Sequence, residues 1–150
     1  MDLSKKIGTM EFDGMFAGIT PAPQVGAGTI KAGEAEATYK RGTIFAKSSI
    51  DGLLVILGTE AAEAVEGVEA DVEHGVEAVE AVPAEVLTPY GILCDDVTVG
   101  TEDDVTVTIY TAGCFNASKV IVADDYDITD ADKDALRGFD IILKAVSAAE

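Results

Sequence analysis

The sequence has little of what metal chemistry or nucleophilic catalysis requires. Its 150 residues include no tryptophan, one histidine (His74) and two cysteines, Cys94 and Cys114. Zinc sites are built from cysteine and histidine at short spacings, and neither Cys-x-x-Cys nor His-x-x-x-His occurs here. We therefore expect no metal ion and no cofactor. Both cysteines lie between apolar neighbours, which favours buried, reduced thiols.

Long apolar runs are also missing. No stretch approaches the ~18 residues of a membrane span. The first residues, with Lys5 and Lys6 followed by Glu11 and Asp13, do not have the pattern of a signal peptide. These absences predict a chain made in the cytoplasm. Its length and its apolar share of 48% are typical of one globular domain with a sizeable core.

Basic residues are few and unevenly distributed. Ten Lys and Arg stand against 28 Asp and Glu, a net charge of −18, and no basic residue occurs between Lys47 and Lys119. Phosphate backbones and anionic lipids are bound mainly through basic side chains. The composition therefore argues against nucleic acid and against membranes as partners.

Candidate catalytic groups are limited to adjacent carboxylates. The pairs are Asp95-Asp96, Asp103-Asp104 and Asp124-Asp125. Sequence neighbours on a strand point to opposite faces, so such pairs are badly placed to share one substrate. An acid-base hydrolase using Asp95 or Asp124 stays open as an alternative. The loop that begins at Asp125 does not match a calcium loop, because Asp130 stands where glycine is needed. We expect no catalytic site and no enzyme.

The first 28 residues predict a flexible arm. They contain five glycines and two prolines, too many for a long helix or an unbroken central strand. They also contain large apolar side chains, which a solvated tail would avoid; these are Met10, Phe12, Met15, Phe16 and Ile19. The arm lies either on its own domain or in a groove or sheet edge of a partner.

The remaining chain is predicted to be mostly β. Residues 38–57 read as a hairpin that turns at Asp51-Gly52, and the alternation from Val105 to Ile109 predicts a half-buried strand. Further short strands are expected at 120–122 and 139–143. Between them, Thr129 is predicted to be the N-cap of a short helix over 130–137 that Gly138 closes.

Residues 60–87 differ in composition from the rest. Of these 28 positions, 22 are Glu, Ala or Val, and nine residues are acidic. The valines recur at three- and four-residue intervals, which is a helical period, but Gly67, Gly75 and Pro83 interrupt it. The segment is predicted to be either a broken helix or a mobile acidic loop.

Five short motifs occur in a fixed order along the chain. They are Phe-Ala-Gly-Ile-Thr-Pro-Ala at 16–22, Lys-Arg-Gly-Thr at 40–43, Thr-Pro-Tyr-Gly-Ile-Leu at 88–93 with Asp-Asp-Val at 95–97 behind it, Tyr-Thr-Ala-Gly-Cys-Phe-Asn at 110–116, and the short helix before 139–143. Their order and spacing resemble the phage head decoration protein D family from Phe16 to Leu143. Relative to that pattern, 60–87 is an insertion and the stretch before Phe16 is extended.

The resemblance implies a mainly β fold of the β-clip type with one or two short helices. It implies a single decoration domain over 29–150 and a homotrimer on the outer surface of an expanded capsid, so that the protein resides in the virion. The flexible arm, residues 1–28, would join strands of the major capsid protein. We expect the capsid-binding residues to be the arm's Met10, Phe12 and Met15, which lie before the matched stretch, and Phe16, Ala17, Gly18, Ile19, Thr20 and Pro21 of the first motif.

A second hypothesis assigns the function to the insertion. In this alternative the protein is a surface-display or recognition module, and the acidic residues 60–87 contact a host surface or cations.

Overall fold

Strands dominate the computed structural model, which describes residues 14–145. They are β1 (Gln24–Ile30), β2 (Ala37–Tyr39), β3 (Ile44–Ser48), β4 (Leu54–Ile56), β5 (Leu87–Leu93), β6 (Val97–Val99), β7 (Val105–Asn116) and β8 (Ile141–Lys144), with one helix, α1 (Asp130–Gly138), between β7 and β8. The predicted mainly β fold with a short helix is confirmed. Within residues 14–145, no helix has the length and apolarity to cross a bilayer.

Six strands form one sheet in the order β1-β4-β3-β5-β7-β8. This sheet closes on itself, because β1 also pairs antiparallel with β7 from Gln24–Ala112 to Ile30–Val105. The β1-β4 contact is a single parallel pair, and β8 runs parallel to the second half of β7. A separate two-stranded ladder joins β2 to β6.

Two apolar clusters occupy opposite faces of the central strands. Side chains alternate along a strand, so Phe45 of β3 enters one cluster while its neighbours Ile44 and Ala46 enter the other. The cluster enclosed by the ring of strands consists of Ile30, Phe45, Leu54, Leu93, Val99 and Ile109. The cluster beneath α1 consists of Met15, Ile44, Ala46, Leu57, Ile92, Phe115, Leu136 and Ile141.

Local sequence signals predicted several elements well. The β3-β4 hairpin turns at Gly52, which has φ of +72°, and the Asp51 carboxylate accepts a hydrogen bond from the Leu53 N–H at 3.0 Å. The predicted strand at 105–109 is confirmed, but β7 continues to Asn116. Its second half is stabilised by β8, a partner distant in sequence.

The predicted helix is also confirmed. The Thr129 hydroxyl accepts from the Asp132 N–H at 3.1 Å, and the Asp132 carboxylate accepts from the Thr129 N–H at 3.0 Å, a reciprocal capping box. The predicted end was wrong in detail, because Gly138 belongs to α1 and the left-handed residue is Asp140, with φ of +61°. The strand expected at 139–143 is β8, whereas that at 120–122 is reduced to one bridge.

The predicted boundary of the arm at residue 28 falls inside β1. Residues 24–28 are strand residues that pair with β7, so the arm as first defined is too long. The glycines of this strand serve packing: a Cβ on Gly28 would lie 2.5 Å from Leu54 Cδ1. The sequence alone does not distinguish a glycine that lets a neighbouring side chain pack closely against a strand from a glycine that interrupts a strand.

Residues 60–86 form an exposed, irregular hairpin, which we call the acidic hairpin. Antiparallel bridges join Val65 to Val82, Val68 to Val79 and Asp71 to Val76. The chain reverses at 72–75, where Gly75 has φ of +67°. The predicted broken helix is therefore wrong: the valine spacing serves an antiparallel ladder. The loop alternative was closer, because the segment lacks regular strands and most of its residues are exposed.

Candidate partner-binding site

The segment that precedes β1 is attached to the second half of β7. Ala17 N–H donates to the Cys114 carbonyl at 3.0 Å, and Asn116 N–H donates to the Met15 carbonyl at 2.7 Å. The Asn116 side-chain amide donates to the Gly14 carbonyl at 3.1 Å. These bonds align residues 14–17 antiparallel to β7, with a bridge between Phe16 and Phe115. We call residues 14–18 the anchor segment.

Met15 fixes the anchor segment in the core. Its side chain is 4% exposed and belongs to the cluster that contains Phe115 and Leu136. Gly42 makes room for it: a Cβ at Gly42 would lie 2.5 Å from Met15 Cε and 3.0 Å from the Lys119 carbonyl oxygen. The Lys-Arg-Gly-Thr motif thus contributes a glycine against which the anchor segment packs.

Phe16 is the outer member of an aromatic cluster. Phe16 is 38% exposed, and its ring centroid lies 5.3 Å from those of both Tyr110 and Phe115. The Arg41 guanidinium carbon lies 5.9 Å from the Phe16 centroid and 5.4 Å from the Tyr110 centroid. Arg41 Nη1 also donates to the Tyr110 hydroxyl at 2.6 Å and to the Cys94 carbonyl at 2.9 Å. Arg41 therefore ties Phe16 to the sheet by both hydrogen bonding and cation-π attraction.

The carboxylates proposed for acid-base chemistry are exposed. Asp96 accepts from the Arg41 backbone N–H at 2.7 Å, so it holds the turn that carries Arg41. Asp95 and Asp124 also lie at the surface. Among residues 14–145, no three His, Cys, Asp or Glu side chains are placed to hold a metal ion.

The structure divides the predicted capsid-binding residues into three groups. Met10 and Phe12 lie outside the described residues. Met15, Phe16, Ala17 and Gly18 come together on β7, where a Cβ on Gly18 would be 3.3 Å from Cys114 Sγ. Beyond them, Ile19 is 89% exposed and Thr20 is exposed, whereas Pro21 is half-buried.

Three residues of this site were absent from the predicted set. Arg41, Tyr110 and Asn116 hold the anchor segment, although none belongs to the arm. Each occurs in one of the quoted motifs, which was the available signal.

Burial beside this site should make Cys94 slow to react. Burial is the main cause of the raised pKa of the Cys94 thiol. The nearby Asp95 carboxylate also raises this pKa, whereas the Arg41 guanidinium lowers it. A raised pKa reduces the reactive thiolate at neutral pH. In a Cys114→Ser variant at pH 7.5, we expect Cys94 to be alkylated at least about tenfold more slowly when native than in denaturant. Equal rates in the two states would contradict the observed burial.

Comparison with known proteins adds no relative: no protein-family model matches the chain, and a search of curated proteins gives no match. The family likeness rests on the five motifs alone.

Proposed function

We propose that this protein is a structural virion protein that binds the outside of an expanded phage capsid as a homotrimer and stabilises the shell. One observation carries the proposal: motifs far apart in sequence converge on one site. Phe16, Arg41 and Tyr110, which belong to three of the motifs, pack against one another, with the Phe16 and Tyr110 rings edge to face. A function shared with the decoration protein family accounts for why these particular motifs occur together.

The anchor segment gives the arm a fixed origin. Because Met15 is buried and residues 14–17 are bonded to β7, Gly14 has a defined place on the body. In the sequence before Gly14, Met10 and Phe12 alternate with Glu11 and Asp13. Such alternation is suited to strand addition, in which backbone bonds give affinity and alternate side chains give selectivity. We propose the major capsid protein as the acceptor.

Three arms on one body would act together. Ordering an extended segment costs conformational entropy, so a single arm is expected to bind weakly. Once one arm is bound, the others are held at high effective concentration near their own sites. A homotrimer would therefore remain on a capsid lattice from which a monomer would dissociate.

The test removes residues 1–13, the part of the arm that precedes the anchor segment, without removing any described residue of the core. A variant lacking residues 1–13 keeps Met15 and β1, whereas deletion of 1–28 would remove Met15 and five of the seven residues of β1. We expect the shorter deletion to leave the melting temperature within about 2 °C of the parent, because no described core residue is lost. It should no longer co-sediment with purified expanded capsids of the same phage.

Paired substitutions in the full chain provide the matched control. Met10→Ser with Phe12→Ser should weaken capsid binding at least about tenfold, since two apolar anchors are lost. Glu11→Gln with Asp13→Asn, in the same segment, should retain binding. Unimpaired capsid attachment of the protein lacking residues 1–13 would refute the role of the arm. The trimer would be refuted if light scattering gave the mass of a monomer for the protein recovered from capsids.

A further inference from the structure

The acidic hairpin has an unusual ladder that the proposed function does not use. Val65 and Val82 exchange two backbone hydrogen bonds, at 2.8 and 2.9 Å, and Val68 and Val79 exchange two at 2.8 Å. Asp71 and Val76 form a third reciprocal pair, at 3.0 and 2.9 Å. Successive pairs are three residues apart, whereas a regular antiparallel ladder repeats this kind of pair every two residues.

This ladder places its valines on one face. In L-amino acids, the direction of the N–H and C=O groups determines the face on which the side chain lies, so every reciprocally bonded residue points the same way. The valine stripe formed in this way consists of Val65, Val68, Val76, Val79 and Val82, and the sixth bonded residue, Asp71, lies on the same face at the tip end, opposite Val76. The exposures of the stripe valines fall in a narrow range of 40–47%, whereas Val72, in the reversal at the tip, is 91% exposed. The acidic hairpin therefore displays an apolar surface that nothing in the described chain covers fully.

The base of the hairpin is fixed to the body. The Glu85 carboxylate accepts from the Ser48 hydroxyl at 2.5 Å and from the Ala62 N–H at 3.2 Å. Ser49 N–H donates to the Val86 carbonyl at 3.0 Å, and Val86 N–H donates to the Ser49 hydroxyl at 2.9 Å. The hairpin that carries the valine stripe is thus attached to the body by hydrogen bonds at its base.

The acidic side chains around the valine stripe determine what kind of partner can bind there. Residues 60–86 contain nine acidic side chains and no Lys or Arg. A second copy of the hairpin would bring the same nine charges to the interface, and like charges at an interface oppose association. A partner with basic side chains beside an apolar ridge would meet both the carboxylates and the valines.

We propose that the valine stripe is a docking surface for a basic amphipathic segment of another protein. Contiguous exposed apolar surface bordered by charge is a common mark of an interaction site. The apolar contact would determine register along the three pairs, and the glutamates would speed the encounter and exclude acidic partners. This inference does not depend on capsid binding, because the hairpin and the anchor segment are separate parts of the molecule.

The test uses the full chain and an 18-residue peptide of leucine and lysine with amphipathic spacing. Two control peptides carry serine for every leucine, or glutamate for every lysine. The main variant is Val68→Ser with Val79→Ser, which keeps the backbone bonds of the ladder, and the matched control is Val72→Ser at the tip. Fluorescence anisotropy gives the affinities, and hydrogen exchange of the amides at 65, 68, 79 and 82 reports the ladder.

We expect the paired serine variant to bind the leucine-lysine peptide about tenfold more weakly than the parent, and the tip variant to bind within about twofold. Both control peptides should bind far more weakly than the leucine-lysine peptide. Equal binding by the parent and the paired serine variant would overturn the proposal. So would equal binding of the serine-lysine peptide, because charge alone would then account for it, or an absence of binding at about 1 mM peptide.

Two further outcomes are decisive. If sedimentation shows that the paired serine substitution dissociates an oligomer of the parent, the occupant is a second copy and the proposal is wrong. If the paired serine substitution removes the hydrogen-exchange protection of the ladder amides, its weaker binding is not informative, and the variant Val68→Leu with Val79→Leu tests the proposal instead. The larger apolar side chains should tighten peptide binding about threefold, and unchanged or weaker binding would overturn the proposal.

Discussion

Replacing Met15 by alanine should lower the free energy of unfolding by about 2–4 kcal/mol, the usual cost of a large-to-small change in a packed core. Met15 is 4% exposed and lies in the cluster with Phe115 and Leu136. Its loss would leave a cavity beside Gly42, whose backbone the side chain now covers. Urea unfolding monitored by circular dichroism gives the free energy, with the slope checked for a common two-state transition.

Ile19→Ala is the matched control for this prediction. Ile19 directly follows the anchor segment but is 89% exposed, so its truncation should change stability by no more than about 0.5 kcal/mol. If the two variants have the same stability, the anchor segment is not docked in the isolated protein. The chain before residue 24 would then be an arm over its whole length.

The sequence predicted those elements whose signals are local. The capping box at Thr129 needs only two residues three positions apart, and the Asp51-Gly52 turn needs only neighbours. The alternation of valine and threonine in β7 reports one buried face without reference to any partner. In each case the signal lies within the element that it predicts.

The acidic hairpin shows where such reasoning failed. Valine at three- and four-residue spacing is compatible with a helix, and the same spacing supports a ladder with three-residue repeats. A usable signal was present: Val65 and Val68 are the mirror images of Val82 and Val79 about the tip, and a glycine lies beside that centre. Mirror symmetry indicates a hairpin, whereas a helix has no reason to contain it.

The anchor segment could be predicted only in part. Its apolar residues indicated that it would be buried against something, but the surface that receives it comes from Arg41, Tyr110 and Asn116. Those residues meet only through the closed sheet. No spacing within the first 28 residues could show that Met15 enters the core while Ile19 stays exposed.

This division of the arm bears on how it would act. Residues 14–17 are already held on β7 in the isolated chain, so ordering them adds no cost when a partner binds. Arg41 is central to that geometry because it joins Phe16 to Tyr110. In the proposed function, the anchor segment would therefore position the arm, and the residues before Gly14 would make the contact with the capsid.

Gly42→Ala should destabilise the protein by about 3 kcal/mol, since backbone strain and overpacking combine at this position. Gly42 has φ of +97°, which alanine adopts only under strain. The new methyl group would also lie 2.5 Å from Met15 Cε and 3.0 Å from the Lys119 carbonyl oxygen. Either Met15 or the backbone must therefore move, and we expect faster hydrogen exchange at Ala17 and Asn116, whose amides hold the anchor segment.

Gly100→Ala is the matched control for Gly42→Ala. A Cβ at Gly100 has no neighbouring atom within 4 Å, so alanine there should leave stability within about 0.5 kcal/mol of the parent. A Gly42→Ala variant as stable as Gly100→Ala would mean that Met15 does not pack over this turn. Loss of stability without faster exchange at Ala17 and Asn116 would mean that the strain stays within the turn, and the anchor segment would then be held by Arg41 and β7 without help from Gly42.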